Sequence, residues 1–213
     1  MAKPTKPATA TDAQVRALLE RYQCPVPFHA VRTRFLGTIA SPDPHVSPMK
    51  TVESLWGGEL PAFDSVEEAS ELVNALLMGL WDRLTSHQQR SAAFRLTRID
   101  VPATREGLAT IALLREQELT NFREGLFGDN ESLDLPERAT KALGILSEIR
   151  AMIAGIRELA ENPAKPVTPT DAADLLQQFR ELTRIAEHEI HEAVLSCTRA
   201  RRAMPPGIRP VVH

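Results

Sequence analysis

Residues 65–84 constrain the fold most. Ser65-Val66-Glu67-Glu68 is a capping box: the Ser65 hydroxyl can accept an early backbone N–H, and Glu68 can reach back to the cap. Ala69, Leu72, Val73, Leu76, Leu77, Leu80, Trp81 and Leu84 follow at steps of three and four. That spacing lays a broad apolar stripe along one face of an α-helix and suits no strand.

The same pattern runs through the chain. Thr11 with Gln14 opens a helix whose Val15, Leu18, Leu19 and Tyr22 share a face, and Pro25 and Pro27 end it. Phe28 to Ile39 forms a second apolar segment, followed by a proline-rich loop at 42–48. Pro48 fits the first turn of a short helix through Leu55-Trp56, which Gly57-Gly58 stops. Ser86 with Gln89 predicts a further helix near 87–98, with Arg90, Arg95 and Arg98 on its wet side. Pro102 breaks the pattern. A helix over about 105–126 then turns Leu108, Ile111, Ala112, Leu119, Phe122 and Leu126 inward.

Pro136 opens a helix to 161 in which Ala142, Leu146, Ile149, Ile153, Ile156 and Ala160 recur at fours and threes. Asn162-Pro163-Ala164-Lys165-Pro166-Val167-Thr168-Pro169-Thr170 is a stiff linker. A last helix over 171–202 carries Leu175, Phe179, Leu182, Ala186, Ile190, Ala193 and Cys197 as its stripe. No segment shows a convincing period of two. The expected fold is all-α, a multihelical bundle with a C-terminal antiparallel helical hairpin. Residues 1–10 read as a disordered tail, 11–128 as a helical domain, 129–203 as the hairpin and 204–213 as a second tail.

The last helix would run roughly 45–50 Å against about 39 Å for its partner. Its stripe therefore needs cover from the N-terminal helices or from a second copy. A homodimer is the expectation, two-fold pairing being the commonest way to bury a self-complementary face.

Aromatic residues make up only 5% of the chain, so Leu, Ala, Ile and Val must build the core. A net charge of −3 gives no basic field to draw nucleic acid or anionic lipid. The apolar run Ala75-Leu76-Leu77-Met78-Gly79-Leu80-Trp81 is too short to span a bilayer. The start of the chain has no apolar segment of the signal-peptide kind, and a cytoplasmic location is expected. Cys24 and Cys197, the only cysteines, read as two separate thiols in a reducing compartment.

Phe35-Leu36-Gly37-Thr38-Ile39-Ala40-Ser41-Pro42, then Val46-Ser47-Pro48, then Leu55-Trp56-Gly57-Gly58 with Pro61 and Phe63, resembles the YgfB/YecA family of uncharacterised proteins. Residues 65–84 look like that family's long helix, and Leu119-Thr120-Asn121-Phe122-Arg123-Glu124-Gly125-Leu126 is a weaker echo. The likeness covers about 28–128. Asp82 stands where the family has Asn, no Trp precedes Phe122, and the Cys-rich zinc module of the larger relatives has no counterpart. The resemblance implies an all-helical bundle without catalytic residues to carry over. It makes Gly57-Gly58 a helix stop, Pro61 a turn, and Trp56, Phe63 and Trp81 core residues.

Glu187-His188-Glu189-Ile190-His191-Glu192 is the one metal-like string. His188, His191 and Glu192 are spaced to share a helical face, a geometry that can hold a divalent ion. The order is not His-Glu-x-x-His, and both histidines fall off the apolar stripe, so solvated side chains and no bound metal are expected. Cys24 lies near His29 in sequence but shows no sign of a paired base, and Cys197 falls on the stripe as a small core residue. Arg199, Arg201 and Arg202, with Arg209, form a basic cluster suited to the helix dipole or to an acidic partner. No phosphate loop and no nucleophile elbow occurs. The reading is a non-catalytic cytoplasmic protein without cofactor that acts through protein–protein contacts, as an adaptor or regulator. Two alternatives stay open. One is a ligand-binding protein or enzyme with an inter-helix pocket onto which Arg32, Arg34 or Asn74 converge. The other is weak RNA or ribosome binding through the arginines at 90–105 and 199–209.

Overall fold

The computed structural model describes residues 10–203, so the expected tails lie outside the described residues, Ala10 excepted, as does Arg209. Of the described residues 71% are helical and none forms a strand; the chain is an all-α multihelical bundle.

α1 (Asp12–Arg21) carries both halves of its capping box. The Thr11 hydroxyl accepts the Gln14 N–H at 3.3 Å, and Gln14 Oε1 accepts the Thr11 N–H at 2.8 Å. α2 (Phe28–Ala40) is almost wholly buried from Phe35 onward. α3 (Pro48–Glu53) is capped by Ser47 and runs into a 3-10 turn, Ser54–Trp56. Gly57 ends that turn at φ +85°, a left-handed conformation that a Cβ would strain.

Ser65 caps α4 (Val66–Asn74) by accepting the Glu68 N–H at 3.2 Å. Glu68 reaches one residue further than expected and accepts the Asp64 N–H at 3.1 Å. The helix continues through wider π turns, Ala75–Trp81, into α5 (Asp82–Thr85). The extra residue per turn keeps Leu72, Ala75, Leu76, Leu80 and Leu84 in the core while Met78 is left outside. Gly79 sits in this stretch beneath the start of α1, where a Cβ would come within 3.0 Å of the Ala10 methyl.

The helix expected at 87–98 does not form. The Ser86 hydroxyl donates to the Arg83 carbonyl at 2.7 Å instead of capping, and the Ser86–Gln88 turn leads through a second turn at 89–91 into a non-helical strap over 92–104. Phe94 and Leu96 are buried with Arg95 exposed between them, a period-two pattern inside a sequence scored for helix. Thr97, Ile99 and Val101 are β-branched and Pro102 disfavours helix just before it, so local preference agrees with the extended form.

α6 (Arg105–Phe127), α7 (Glu137–Glu161) and α8 (Pro169–Ala203) follow, close to their expected bounds. α2 packs most intimately on α6, α6 on α7, and α7 on α8 in the antiparallel hairpin. The 35-residue α8 then returns to α2 and to the 86–88 turn. Ala186, Ile190, Ala193, Val194 and Cys197 are fully covered within one chain. The C-terminal part of the stripe, which prompted the expectation of a second copy, is therefore covered within one chain, while Leu175 and Leu182 stay half-buried.

Trp56, Phe63 and Trp81 are partly buried rather than central. The Trp56 indole N–H donates to the Tyr22 carbonyl at 2.9 Å, and Trp81 meets Phe35 edge-on at 5.4 Å between ring centroids. Indole rings, each with one polar N–H edge, settle at the margin of a core, and Phe63 lies at that margin against the Tyr22 ring at 5.1 Å, while Phe35, Phe94, Phe122 and Phe179 fill its centre.

Candidate functional site

The open face of the hairpin is the most distinctive surface. Met152, Gly155, Ile156 and Leu159 lie at three-four spacing on one side of α7; Asp174, Gln177, Gln178, Glu181 and Leu182 do so on α8. Together they line a groove of about 760 Å³. Its floor is apolar. Met152 keeps 49% of its surface exposed, and Ile185, the next step of the α8 face, keeps 38%. The lining comes from α7 and α8 alone; among the described residues no third helix contributes to it. The charged groups of the lining are carboxylates only, Asp174 and Glu181, and Glu181 also accepts from Arg184 at 3.0 Å on the outer side.

A second region is the anchoring of the strap. With no neighbouring strand, its backbone bonds come from side chains of three helices. Glu118 on α6 accepts the Thr97 N–H at 2.8 Å and pairs with buried Arg115 at 2.5 Å. Glu187 on α8 accepts the Leu96 N–H at 3.0 Å and pairs with Arg95 at 2.6 Å. Arg32 on α2 donates to the Arg95 carbonyl and the Thr97 hydroxyl, each at 3.2 Å, with its guanidinium 4.9 Å over the Phe94 ring. Burial lowers the Arg32 pKa, and these two neutral acceptors and the ring face offset part of the cost. Each of these groups has a structural duty, so the network fixes the strap and offers no reactive centre.

The metal-like string does not converge. His188 is exposed. His191, expected in solvent, is buried with Nε2 donating to the Arg90 carbonyl at 3.3 Å, and Glu192 pairs with Arg138 at 3.3 Å. Glu187 and Glu189, which sequence reasoning passed over, are both buried, Glu189 against Arg138 at 2.6 Å. The error has one cause: the C-terminal half of α8 is enclosed on several sides, so a single-stripe reading assigned its polar residues to water. Among the described residues no three of His, Cys, Asp and Glu gather as a metal site.

Of the basic cluster, Arg201 is half-buried and donates to the Ser41 carbonyl at 3.2 Å, and burial lowers its pKa. Arg199 bonds the Leu195 carbonyl of its own helix at 3.3 Å, and Arg202 is exposed. Of the three, Arg201 ties the end of α8 to the end of α2. Arg34, Arg32 and Asn74 do not share a cavity. Arg34 lines a polar cleft of about 680 Å³ with Asp43, Ser47 and Lys50, but its guanidinium is held by Asn121, Glu124 and the Ser54 carbonyl. Arg32 sits under the strap, and Asn74 is exposed on α4.

Cys24 lines a third cleft with His29, whose Nε2 is bonded to Gln117 Oε1 at 2.7 Å, so the imidazole is not turned to the thiol. Burial raises the Cys24 pKa and pushes that of Cys197 up to about 11. A thiol reagent at pH 8 is expected to modify Cys24 slowly and Cys197 only after unfolding. Rapid native modification of both, read by mass spectrometry, would contradict the burial. Among the described residues no helix is long and apolar enough to cross a membrane. Compared with protein families, curated proteins and solved structures, the chain matches none.

Proposed function

We propose that this is a non-catalytic cytoplasmic protein that works by holding other proteins, as an adaptor or regulator. The observation that carries the reading is the hairpin groove: an apolar floor with half-exposed Met152 in its lining and Ile185, 38% exposed, one helical step beyond Leu182. Apolar surface of this kind, left in water, forgoes about 25 cal/mol for each Å² that a partner would cover. The polar groups that would serve a catalytic reading support the contact reading instead, because Arg32, Arg34, Glu118 and Glu187 are each engaged in holding the fold. The RNA alternative loses its strongest arginines for the same reason: Arg95 pairs with Glu187, and Arg105 donates to the carbonyls of Ala160 and Asn162. Kinship with the YgfB/YecA proteins belongs to the same proposal, supported by Gly57 serving as the helix stop that the resemblance implies.

Deleting residues 136–213 is a poor test, since α8 covers α2 and α6. Met152→Glu with Ile185→Glu alters one exposed position in the groove and one exposed position a helical step beyond it. The expected result is that tagged full-length protein retains partners from native cytosol, and that the double variant loses them without a fall in melting temperature. Identical retained sets would refute the groove as the contact.

A further inference from the structure

From the chemistry of the same groove we infer that its occupant is an amphipathic helix with cationic residues flanking its apolar face, an inference that rests on the contact reading above. Three features point there. The first is shape. The lining repeats at three and four on both helices and extends over 174–182, a rise of about 12 Å, so it accepts roughly two turns of a helix laid along the hairpin.

The second is Gly155. Glycine inside a helix is unfavourable against alanine by about 1 kcal/mol. At Gly125 a Cβ would strike a neighbouring helix, but a Cβ at Gly155 meets nothing within 4 Å. Among the described residues no contact accounts for glycine there or at Gly144, but of the two only Gly155 lines the groove. A bare backbone on the floor of the groove lets an incoming helix approach closely between Met152 and Leu159.

The third is charge. Asp174 and Glu181 are the acidic groups of the lining, which itself contributes no cation, although Glu181 already accepts from Arg184 Nε and Nη2 at 3.1 and 3.0 Å. Arg184 bonds Glu181 from the exposed side, at 73% side-chain exposure, and stays outside the groove. Lysine or arginine beside the apolar face of the incoming helix would meet these carboxylates. A partner helix bearing glutamate there would face like charge, which sets selectivity more than raw affinity.

The probes are three labelled amphipathic peptides with leucine on one face and lysine, glutamate or glutamine on the other, titrated against the full chain by fluorescence anisotropy at low and high salt. The lysine peptide is expected to bind at least tenfold tighter than the glutamate peptide, with the gap narrowing as salt rises. Asp174→Lys with Glu181→Lys should reverse that order. Glu59→Lys with Glu131→Lys, the same change of net charge at exposed sites elsewhere, should keep it. Gly155→Leu, which relieves an unfavourable helix glycine and so should fold, is expected to abolish binding of all three. If the lysine and glutamate peptides bind equally, or the control pair reverses the order as well, the cationic-helix inference is wrong while the groove remains a contact surface. If Gly155→Leu binds the lysine peptide as wild type does, or light scattering shows a second copy seated on the groove, the inference also falls. If no peptide binds while the Met152/Ile185 variant still loses its cytosolic partners, the contact reading stands and the helical occupant does not.

Discussion

Gly125→Ala is expected to cost about 3 kcal/mol or more of folding stability, beyond what overpacking usually costs. A Cβ at Gly125 would lie 1.9 Å from the Arg34 carbonyl oxygen, and one at Gly37 would lie 2.1 Å from the Phe122 carbonyl oxygen. Both obstacles are backbone, so no rotamer change relieves them; α2 and α6 would have to move apart. That separation loosens Phe35, Leu36, Phe122 and Leu126, which are almost wholly buried between and around these helices. For a chain of this size such a loss lowers the melting temperature by about 6–12 °C. Gly37→Ala should behave alike, and Gly125→Val should leave little folded protein. Gly144→Ala is the control: it meets nothing within 4 Å, so it should stabilise by up to about 1 kcal/mol. Guanidinium titration reads all of them. A Gly125→Ala loss below about 1 kcal/mol would show that the two helices do not cross in contact there.

What the residues disclosed in advance follows from what each signal measures. Helices with a cap and one apolar stripe were legible to within a residue or two, as at Thr11, Ser65, Pro136 and the linker at 162–170, because cap and stripe are local. The strap was not, because a Ser-x-x-Gln string outweighed the weaker alternation of Phe94 and Leu96, and because its backbone bonds come from Glu118 and Glu187, distant in sequence. The π turns at 75–81 have no stronger local mark than Gly79. The polar half of α8 misled for a related reason. Glu187, Glu189 and His191 look solvated on one helix and become buried only when α2, α7 and the strap close around it. The groove is half legible: the stripes place Ile156 and Leu182 at the seam, but the exposure of Met152 depends on how the two helices pack together, which no single-helix pattern encodes.

Glu118→Ala should destabilise the fold by about 3–5 kcal/mol, the range found when one member of a buried ion pair is removed. Glu118 is fully buried and Arg115 nearly so. The substitution leaves the Arg115 charge with only the Thr183 hydroxyl, 3.1 Å from its Nε, and leaves the Thr97 N–H without its acceptor. Removing both charges is a different matter. Arg115→Met with Glu118→Leu takes away the desolvation cost along with the attraction, so the double variant should recover most of the loss and remain short chiefly by the Thr97 bond, worth about 1 kcal/mol. Glu118→Gln should fall between, since its amide oxygen can still accept from Thr97. Hydrogen exchange supplies a readout specific to the strap: the Thr97 amide should lose protection in Glu118→Ala and in the double variant, and keep most of it in Glu118→Gln. Denaturant titrations in which the double variant falls as far as Glu118→Ala would mean that the pair is not the source of the loss. An unchanged Thr97 amide in Glu118→Ala would show that the strap is held by Arg32 and Glu187 alone.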